Sequence, residues 1–393
     1  MKSQTSPSVP KSFRNPQSLW DDAARSPTAL GCTNCVDKDI CGGAHRAPGF
    51  FDCEGYCNCL DKASCDLVCR GNPASFVERL REIGGLSLGN APRAPLNPVA
   101  PLPAMIPLIE HKSARQRRLN FPIVALRLHK LIDFDKRVLR FTNREALATQ
   151  YGIDPNARLI VSGVGRDTKI ERYWGLSNRE EILAELQQIG ITLITTPNFS
   201  VLSDVPRTDN LHAMKRILLT YGEMASAGLP VALHLNARTG RDYERWAEII
   251  AEREEIQCVT FEFATGAGRG SRIDWHVEHL QKLAAAVGRP LRLILRGGNR
   301  VLEELRQSFD AVSMLDTDAF NRTRCRRQAY FTESGQLVWR KHVTAKGAPI
   351  DDLLAQNVAT LHSHHIYLEH LHADRRLAAS VAAAAEHRNR KAS

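Results

Sequence analysis

Cysteines are the residues of this sequence with the clearest capacity for chemistry. Eight of the ten cysteines lie within one short segment, at Cys32, Cys35, Cys41, Cys53, Cys57, Cys59, Cys65 and Cys69. Eight thiolates are enough for two four-coordinate metal sites, and His45 is a spare ligand. Disulfides are disfavoured because no secretory signal is evident at the N-terminus and cytosolic thiols stay reduced. The spacing therefore predicts a cytoplasmic protein with a metal-binding module.

The ligand spacing favours an iron–sulfur cluster, with one or two 4Fe-4S centres, over zinc. Zinc sites commonly use two separated CxxC pairs, whereas this segment has one CxxC pair and otherwise irregular spacing. Thiolate ligation of a cluster accepts unequal loops. The segment 32–45 resembles the CxxCx5C part of the SPASM-type auxiliary-cluster domains of radical enzymes, with His45 where a further cysteine is expected. The radical-SAM signature CxxxCxxC is absent, which excludes radical-SAM chemistry; structural stapling is the favoured role, with redox activity as the alternative.

A second set of candidate residues follows short apolar runs in the second half of the chain. If these runs are parallel strands, the residues meet at the carboxyl ends of the strands, where barrel enzymes have their active sites. Asp204 and Asp316 are predicted as nucleophile or general base, with Arg207 or Arg238 as electrostatic partner. For His234, a core histidine whose hydrogen bonds are satisfied is the alternative. The full predicted catalytic set is Asp204, Arg207, His234, Asn236, Glu262 and Asp316.

Glycine-rich strand ends suggest an anion site. Gly297 and Gly298 open a predicted helix, and Arg269 lies in the glycine-rich segment 265–272. Backbone N–H groups at a helix N-terminus bind phosphate, and paired glycines allow its close approach. We predict these three residues as cofactor-binding, with ordinary turn formation as the alternative. Neither GxGxxG nor GKS/T occurs, so no nucleotide-binding motif supports the assignment.

The positive charge of the chain is concentrated in clusters. The formal net charge is +10, and one cluster comprises Arg322, Arg324, Arg326 and Arg327. Lysine and arginine that neutralise phosphates drive nucleic-acid binding, so the cluster predicts tRNA or DNA as a partner. A solvated basic surface is the alternative.

Two C-terminal segments resemble one known family. Residues 310–341 resemble the end of the barrel in tRNA-guanine transglycosylase-like enzymes, including a Phe-Thr-x-x-Gly segment at Phe331. Residues 364–380 are similar to the C-terminal helix of that family, with a Tyr-Leu-x-His-Leu run at Tyr367. The cysteines of that family's zinc motif are absent from residues 355–365, directly upstream of this helix.

The resemblance implies a base-exchange reaction on a polynucleotide. By it, Asp316 or Asp318 would be the nucleophile, and 322–327 would bind the nucleic-acid backbone.

Apolar runs and amphipathic stretches alternate from about residue 120 and would position these residues. The strand candidates are 122–128, 158–164, 191–196, 230–235, 257–263, 291–296 and 310–315. The clearest helix between them spans 177–190 and ends at Gly190. Regular β-then-α alternation predicts an α/β fold with a parallel sheet covered by helices. We predict a (β/α) barrel with an N-terminal cysteine-rich module; a doubly wound open sheet is the alternative.

The chain divides into five predicted parts. They are a flexible tail (1–30), the cysteine-rich module (31–72), a helix and Pro-rich connector (73–119), the barrel-like domain (120–345), and a C-terminal helix with a basic tail (346–393). The segment 91–107 has six prolines and suits an extended connector or a strap over a neighbouring surface. The hydrophobic content of 43% excludes a mostly disordered chain, and no apolar run approaches the roughly 18 residues of a membrane span.

Together these features predict an enzyme that contains an iron–sulfur cluster or zinc and acts on nucleic acid or a nucleotide-like substrate. A transferase of the base-exchange type is favoured. The alternatives are a non-catalytic cluster-bearing subunit that binds nucleic acid, and a redox enzyme that acts on a small molecule.

Overall fold

The computed structural model describes residues 82–201, 207–268, 270, 272–334, 336–345 and 347–392. For residues 207, 208 and 372–392 it describes the backbone alone. The whole cysteine-rich module, and with it the predicted metal site, lies outside the described residues.

Eight parallel strands form a closed barrel. Hydrogen bonds join them in the order β1–β10–β9–β8–β7–β6–β5–β2, and the N–H of Ile109 donates to the carbonyl of Ala125 (2.9 Å), which closes the ring. The strands are β1 (Met105–Pro107), β2 (Ile123–Arg127), β5 (Arg158–Ser162), β6 (Leu193–Thr195), β7 (Val231–His234), β8 (Cys258–Glu262), β9 (Arg292–Arg296) and β10 (Ala311–Asp316). The (β/α) barrel is therefore confirmed, and the open doubly wound sheet is excluded.

All seven predicted strands are present, and the eighth comes from the Pro-rich connector. Strand β1 has only three residues, Met105–Pro107, and is fully buried between β10 and β2. So short a strand beside prolines shows no two-residue periodicity, so the sequence pattern does not reveal it. The barrel consequently begins about 15 residues before the predicted boundary at residue 120.

Helices cover the outside of the barrel between successive strands. They are α1 (Leu128–Leu131), α2 (Arg144–Tyr151), α3 (Asp167–Trp174), α4 (Arg179–Ile189), α5 (Arg207–Ser226), α6 (Gly240–Glu252), α7 (Arg272–Val287), α8 (Leu302–Ser308), α9 (Asp318–Arg324) and α10 (Asp351–Ala392). Helix α4 ends as the sequence predicts, because Gly190 adopts the left-handed conformation (φ 81°) that favours glycine.

Alternate strand residues face two separate apolar clusters. Ile106, Ala125, Ile160, Ala232 and Ile294 belong to the cluster inside the barrel. Their strand neighbours pack in the larger cluster between the strands and the helices. Successive side chains of a strand point to opposite faces. Each remaining strand residue can therefore be assigned to the lumen or to the helix layer by counting from a neighbour whose cluster is known.

The segment 91–104, called the strap below, closes the N-terminal end of the barrel. Val99 joins the lumen cluster, and Leu102 and Phe121 pack against it. Because prolines lack a backbone N–H, the strap cannot pair regularly with a strand. Side chains of the barrel domain donate hydrogen bonds to its carbonyls instead. Arg253 donates to the carbonyl of Ala91 (2.6 Å). The segment, for which the sequence left an extended connector and a strap open, packs as a strap over the end of the barrel.

A two-stranded hairpin follows the last barrel strand and helix α9. Strands β11 (Arg327–Phe331) and β12 (Leu337–Lys341) are antiparallel, and β11 packs on α10. Asn357 of α10 accepts from the N–H of Ala329 and donates to Thr323 Oγ1 and to the carbonyl of Arg327, each at 2.8 Å. A smaller antiparallel pair, β3 (Ile132–Asp133) and β4 (Val138–Leu139), lies between β2 and α2. In the described part of the chain, every helix is too short or too polar to cross a membrane.

Candidate active site at the barrel mouth

A layer of charged side chains crosses the lumen at the carboxyl ends of the strands. Arg296 Nη1 lies 2.6 Å from Glu262 Oε2, and Arg127 Nε lies 2.6 Å from Glu110 Oε1. Glu262, Arg296 and Arg127 are two residues beyond lumen-facing positions of β8, β9 and β2, so they face the lumen as well. The mouth of the barrel is therefore polar above an apolar interior.

Burial dominates the electrostatics of Glu262. The residue is only 5% exposed, and desolvation raises the pKa of its carboxyl above the usual value. Arg296, the N–H of Ala264 (2.8 Å) and Arg127 oppose this rise without cancelling it. A raised pKa brings the carboxyl closer to the pH at which its protonated and ionised forms are both populated in a cell. A general acid or base requires this property.

His234 is a neutral imidazole deep in the same lumen. It is fully buried, and burial, assisted by the nearby charge of Arg296, lowers its pKa to about 3. Among the described residues neither Nδ1 nor Nε2 has a hydrogen-bond partner. A buried imidazole without partners costs free energy, so a plain core role does not explain this position.

A cavity of about 410 Å³ opens above Glu262 at the ends of β5 to β8. Its volume lies in the range of small-molecule sites. The lining residues are Gly165, Asp167, Asn198, Ser200, Val201, Asn236, Ala237, Arg238, Phe261, Glu262, Thr265, Gly266, Ala267, Arg272 and His276. We call this space the mouth cavity.

One side of the mouth cavity is cationic. Arg238 follows β7 and is 4% exposed, while Arg272 begins α7 and lies against Gly266. Burial, as the main cause, lowers the pKa of His276 to about 3, and the charges of His279, Arg238 and Arg272 contribute; all of the last three side chains therefore lie near His276. The Tyr243 hydroxyl contacts His276 Nδ1 at 2.6 Å and fixes the ring.

The ends of β5 and β6 present hydroxyl, amide and carboxylate groups. Ser200 Oγ donates to Asp167 Oδ1 (2.6 Å), and Asn198 Oδ1 accepts from the N–H of Gly165 (3.2 Å). The hydroxyl and amide groups can bind polar groups of a ligand, whereas the Asp167 carboxylate repels an anion. Among the described residues, Asp167 and the two arginines therefore follow different strands of the barrel.

The loop after β7 is held rigidly. Asn236 Nδ2 donates to the carbonyl of Phe199 (2.6 Å), and Trp246 Nε1 donates to the carbonyl of Asn236 (2.9 Å). Asp242 Oδ2 accepts from the backbone N–H groups of Arg238 (2.7 Å) and Thr239 (3.0 Å) at the start of α6. This capping carboxylate fixes the backbone from which the Arg238 side chain extends.

Asp316, which the sequence predicts as a catalytic residue, lies away from the mouth cavity. Asp316 follows the lumen-facing Leu315 and so points to the helix layer, where its Oδ1 accepts from the N–H of Ala319 (2.7 Å). Burial, as the main cause, raises its pKa to about 7. Its carboxyl caps helix α9 and does not line the mouth cavity.

The predicted glycine cradle is also absent from the mouth cavity. Gly297 and Gly298 do not line it; both have positive φ, and a side chain there would collide with the chain after β8. The nearest obstacles are the backbone of Ala264 (2.7 Å) and the Phe263 ring (2.7 Å). These glycines allow two loops to approach each other. Arg269 lies outside the described residues.

The structure brings Asn236 and Glu262 together at the mouth cavity, whereas His234 is buried in the lumen and does not line the cavity. Asp204 lies outside the described residues, and Arg207 begins α5 with a side chain that is not described. Among the described residues no group of three or more histidine, cysteine or acidic side chains has the arrangement of a metal site.

Sequence reasoning missed Arg296, Arg127, Glu110, Arg272 and His276 as site residues. Glu110 lies in the predicted connector. Arg127 and Arg296 lie inside strand candidates, where a charged residue only interrupts the apolar pattern and does not indicate a site. The signal that was available is the i,i+4 spacing of Arg272 and His276 at the start of a helix that follows a strand.

Comparisons with known proteins add little. No family model matches the chain, and no curated protein matches it. Among solved structures, a candidate lyase/mutase from Burkholderia cenocepacia J2315 is similar with a TM-score of 0.32 and 15% identity, covering 64% of this chain and 88% of that one. At this TM-score the likeness carries no statement about activity or about individual residues.

Proposed function

We propose that this protein is an enzyme that acts on a small, polar, nucleotide-like substrate in the mouth cavity. The observation that carries the proposal is Glu262, a buried carboxyl with a raised pKa at the base of the cavity. The ionised form accepts a proton from the substrate, and the protonated form returns one to a leaving group or product. Arg296 holds the carboxylate in place through its 2.6 Å ion pair.

Base exchange remains a prediction within this proposal. Because Asp316 does not line the mouth cavity, we infer that Glu262, which does, acts as the nucleophile or protonates the departing base.

Substitution of Glu262 tests the proposal. We expect Glu262→Gln to lower turnover by about 100-fold or more, the usual contribution of a general acid or base. The assay is mass spectrometry of nucleosides, nucleotides and sugar phosphates incubated with the protein, with one arm that follows a labelled base into DNA and tRNA.

Glu255→Gln is the matched control. Glu255 is also a buried, arginine-paired glutamate (Arg93, 2.7 Å), but it follows α6 at the strap end of the barrel. Equal turnover by Glu262→Gln and the wild-type protein would contradict the proposal.

The cysteine-rich module is the second part of the proposal. We propose that its eight cysteines bind iron–sulfur clusters that staple the module, with zinc as the alternative. Iron, sulfide and zinc analysis with an absorption spectrum of anaerobically purified protein decides between them. A broad band near roughly 400 nm with stoichiometric iron is expected, whereas colourless protein with stoichiometric zinc would exclude the clusters.

Binding of nucleic acid is a second candidate function, and the hairpin supports it. Helix α9 and the hairpin carry Arg322, Arg324, Arg327, Tyr330, Trp339, Arg340 and Lys341, with Arg327, Trp339 and Lys341 on one face of the hairpin and Tyr330 and Arg340 on the other; both faces together are called the hairpin surface. The Arg322 guanidinium lies 5.8 Å from the Trp339 ring centroid, and that of Arg340 lies 4.8 Å from the ring of Tyr330. Of the four predicted arginines, Arg326 is partly used for structure, since its Nη2 donates to the carbonyl of Ala348 (2.6 Å).

Fluorescence anisotropy with labelled single-stranded DNA and RNA tests this candidate. Arg340→Gln with Lys341→Gln should weaken binding and reduce its dependence on salt, because fewer counterions are released. The matched control removes two cations of other helices, the half-buried Arg241 and the exposed Lys282, as Arg241→Gln with Lys282→Gln. The same weakening in both double variants would indicate a general charge effect and would remove the hairpin surface as a site.

A further inference from the structure

Two asparagines at neighbouring strand ends line the mouth cavity with side-chain amides of fixed orientation. Asn198 follows β6 and Asn236 follows β7, and these two strands are adjacent in the barrel. Asn198 Oδ1 accepts from the N–H of Gly165 (3.2 Å), and Asn236 Nδ2 donates to the carbonyl of Phe199 (2.6 Å). Because a backbone N–H only donates and a backbone carbonyl only accepts, these bonds decide which atom of each amide is oxygen and which is nitrogen.

Each of the two amides keeps one polar atom for a ligand. Among the described residues, Asn198 Nδ2 and Asn236 Oδ1 have no hydrogen-bond partner, and neither atom is buried. The first atom is a donor and the second is an acceptor. Phe199 follows Asn198 directly in the chain and bonds to Asn236, so the two amides belong to loops in direct contact. The cavity therefore offers an uncharged donor and an uncharged acceptor from adjacent loops.

These neutral atoms are better placed to select a ligand than the charged groups of the cavity. Arg238 and Arg272 have interaction partners within the protein, and Glu262 pairs with Arg296 (2.6 Å). A ligand would have to compete with those partners for the charges. The two amide atoms exchange only a hydrogen bond to water for one to the ligand.

The rest of the lining suits the face of a flat ring. Phe261 lines the cavity, and its ring lies against the rings of Phe263 (centroids 4.7 Å apart) and His276 (5.2 Å). Ala237 and Ala267 add further apolar surface. Such walls bury the faces of a ring, while polar atoms at its edge fix its orientation. The lining thus combines apolar walls with a donor and an acceptor, as the binding of a heterocycle requires.

We propose that Asn198 and Asn236 bind the edge of a neutral heterocycle in which a hydrogen-bond acceptor adjoins an N–H donor. Asn198 Nδ2 donates to the acceptor of the ligand, and Asn236 Oδ1 accepts from its N–H. A lactam, with C=O beside N–H, and an amidine, with a ring nitrogen beside an amino group, share this chemistry. The inference rests on the proposed function, because it names the substrate class of the same cavity.

Isothermal titration calorimetry of the full chain tests the inference. Inosine and uridine carry a lactam edge, adenosine carries an amidine edge, and purine riboside keeps the ring acceptor without a donor beside it. We expect purine riboside to bind at least about tenfold more weakly than the tightest of the other three, because Asn236 Oδ1 would lose water without gaining a partner. Tighter binding of inosine or uridine identifies a lactam as the ligand, and tighter binding of adenosine identifies an amidine.

Variants assign the binding to the two amides. Asn198→Asp keeps the acceptor for the N–H of Gly165 and replaces the donor by a second acceptor. It should weaken the tightest probe by about 10- to 100-fold. Guanosine should lose less affinity than inosine, because its edge also offers two adjoining donors. Asn156→Asp is the matched control, since it adds the same charge at an exposed asparagine that does not line the cavity.

Asn236→Ala is the second variant and removes the acceptor. In it, the preference for adenosine over purine riboside should disappear, because no group remains to accept from the amino group. The inference would be overturned by equal losses in Asn198→Asp and Asn156→Asp, by an unchanged preference in Asn236→Ala, by purine riboside binding as tightly as the other nucleosides, or by no binding of inosine, uridine and adenosine.

Glu262→Gln separates the inference from the proposed function. Selective nucleoside binding that depends on Asn198, with full turnover in Glu262→Gln, would refute the proposed function alone. Loss of turnover in Glu262→Gln, with purine riboside bound as tightly as inosine and adenosine, would refute the inference alone.

Discussion

At the scale of single residues, two buried histidines differ in whether a hydrogen-bond partner is seen for the ring, and this difference should affect the free energy of unfolding. His234 and His276 are both buried with a pKa of about 3, but only His276 has a partner of known geometry, the Tyr243 hydroxyl. We expect His234→Leu to keep or raise the free energy of unfolding, because it removes buried polar atoms without partners. His276→Leu should lower it by about 1–3 kcal/mol, because Tyr243 loses its partner.

Denaturant unfolding of both variants measures this difference. If His234→Leu lowered the free energy of unfolding by several kcal/mol, the His234 imidazole would have hydrogen-bond partners in the folded protein. No bound ligand or water would then be needed to explain its burial.

Asp316 predicts a dependence of stability on pH. Its pKa is about 7 in the folded protein, mainly because of burial, against roughly 4 in an unfolded chain. A raised carboxyl pKa stabilises the fold at low pH, and this contribution is lost as the pH rises from about 4 through 7. Asp316→Asn keeps the acceptor for the N–H of Ala319 and removes the ionisation.

Thermal unfolding at two pH values tests the ionisation of Asp316. We expect Asp316→Asn to match the wild-type protein at pH 4.5 and to be more stable by about 2–4 kcal/mol at pH 8.5. Asp310→Asn, at an exposed position just before β10, is the control and should show no such divergence. A difference between Asp316→Asn and wild type that stays constant across the pH range would be inconsistent with a buried, titrating Asp316.

At the scale of elements, Asn357 joins three of them. Its side chain bonds to β11 twice and to α9 once, at 2.8 Å each, and it is fully buried. Asn357→Ala should cost about 3 kcal/mol, because it leaves several buried groups unpaired. Hydrogen exchange should rise first in residues 327–341, while the barrel strands stay protected; Asn321→Ala on the exposed face of α9 is the control. Uniformly faster exchange throughout the barrel would contradict this local role.

Sequence patterns predicted the strands better than they predicted which side chains share the mouth. Seven strands and the barrel follow from apolar runs, and His234, Asn236 and Glu262 were correctly placed at strand ends. Asp316 was misplaced because strand β10 extends through it, and one residue of difference exchanges the lumen for the helix layer. Glu110 and Arg272 were missed because partners distant in sequence reveal their role only after the barrel closes.

At the scale of the whole molecule, closure of the barrel depends on the Pro-rich segment. Strand β1 bonds to β10, the residue after it bridges to β2, and the strap covers the lumen from below. A chain that begins at residue 120 should therefore expose the edges of β10 and β2 and aggregate. A chain that begins at residue 73 should unfold cooperatively as a monomer. Light scattering and thermal unfolding compare the two, and a monomeric, cooperative 120–393 chain would contradict the dependence.

The filled lumen also limits how a ligand can reach the barrel. Side chains of the inner apolar cluster fill the lumen, and Val99 and Leu102 of the strap, with Phe121, cover its lower end, so a ligand of the mouth cavity enters and leaves through the mouth. A polymer cannot thread through such a pocket. If the substrate is a nucleic acid, a single unit must be turned out of its chain and inserted end-on into the roughly 410 Å³ cavity, while the rest of the strand stays on the rim.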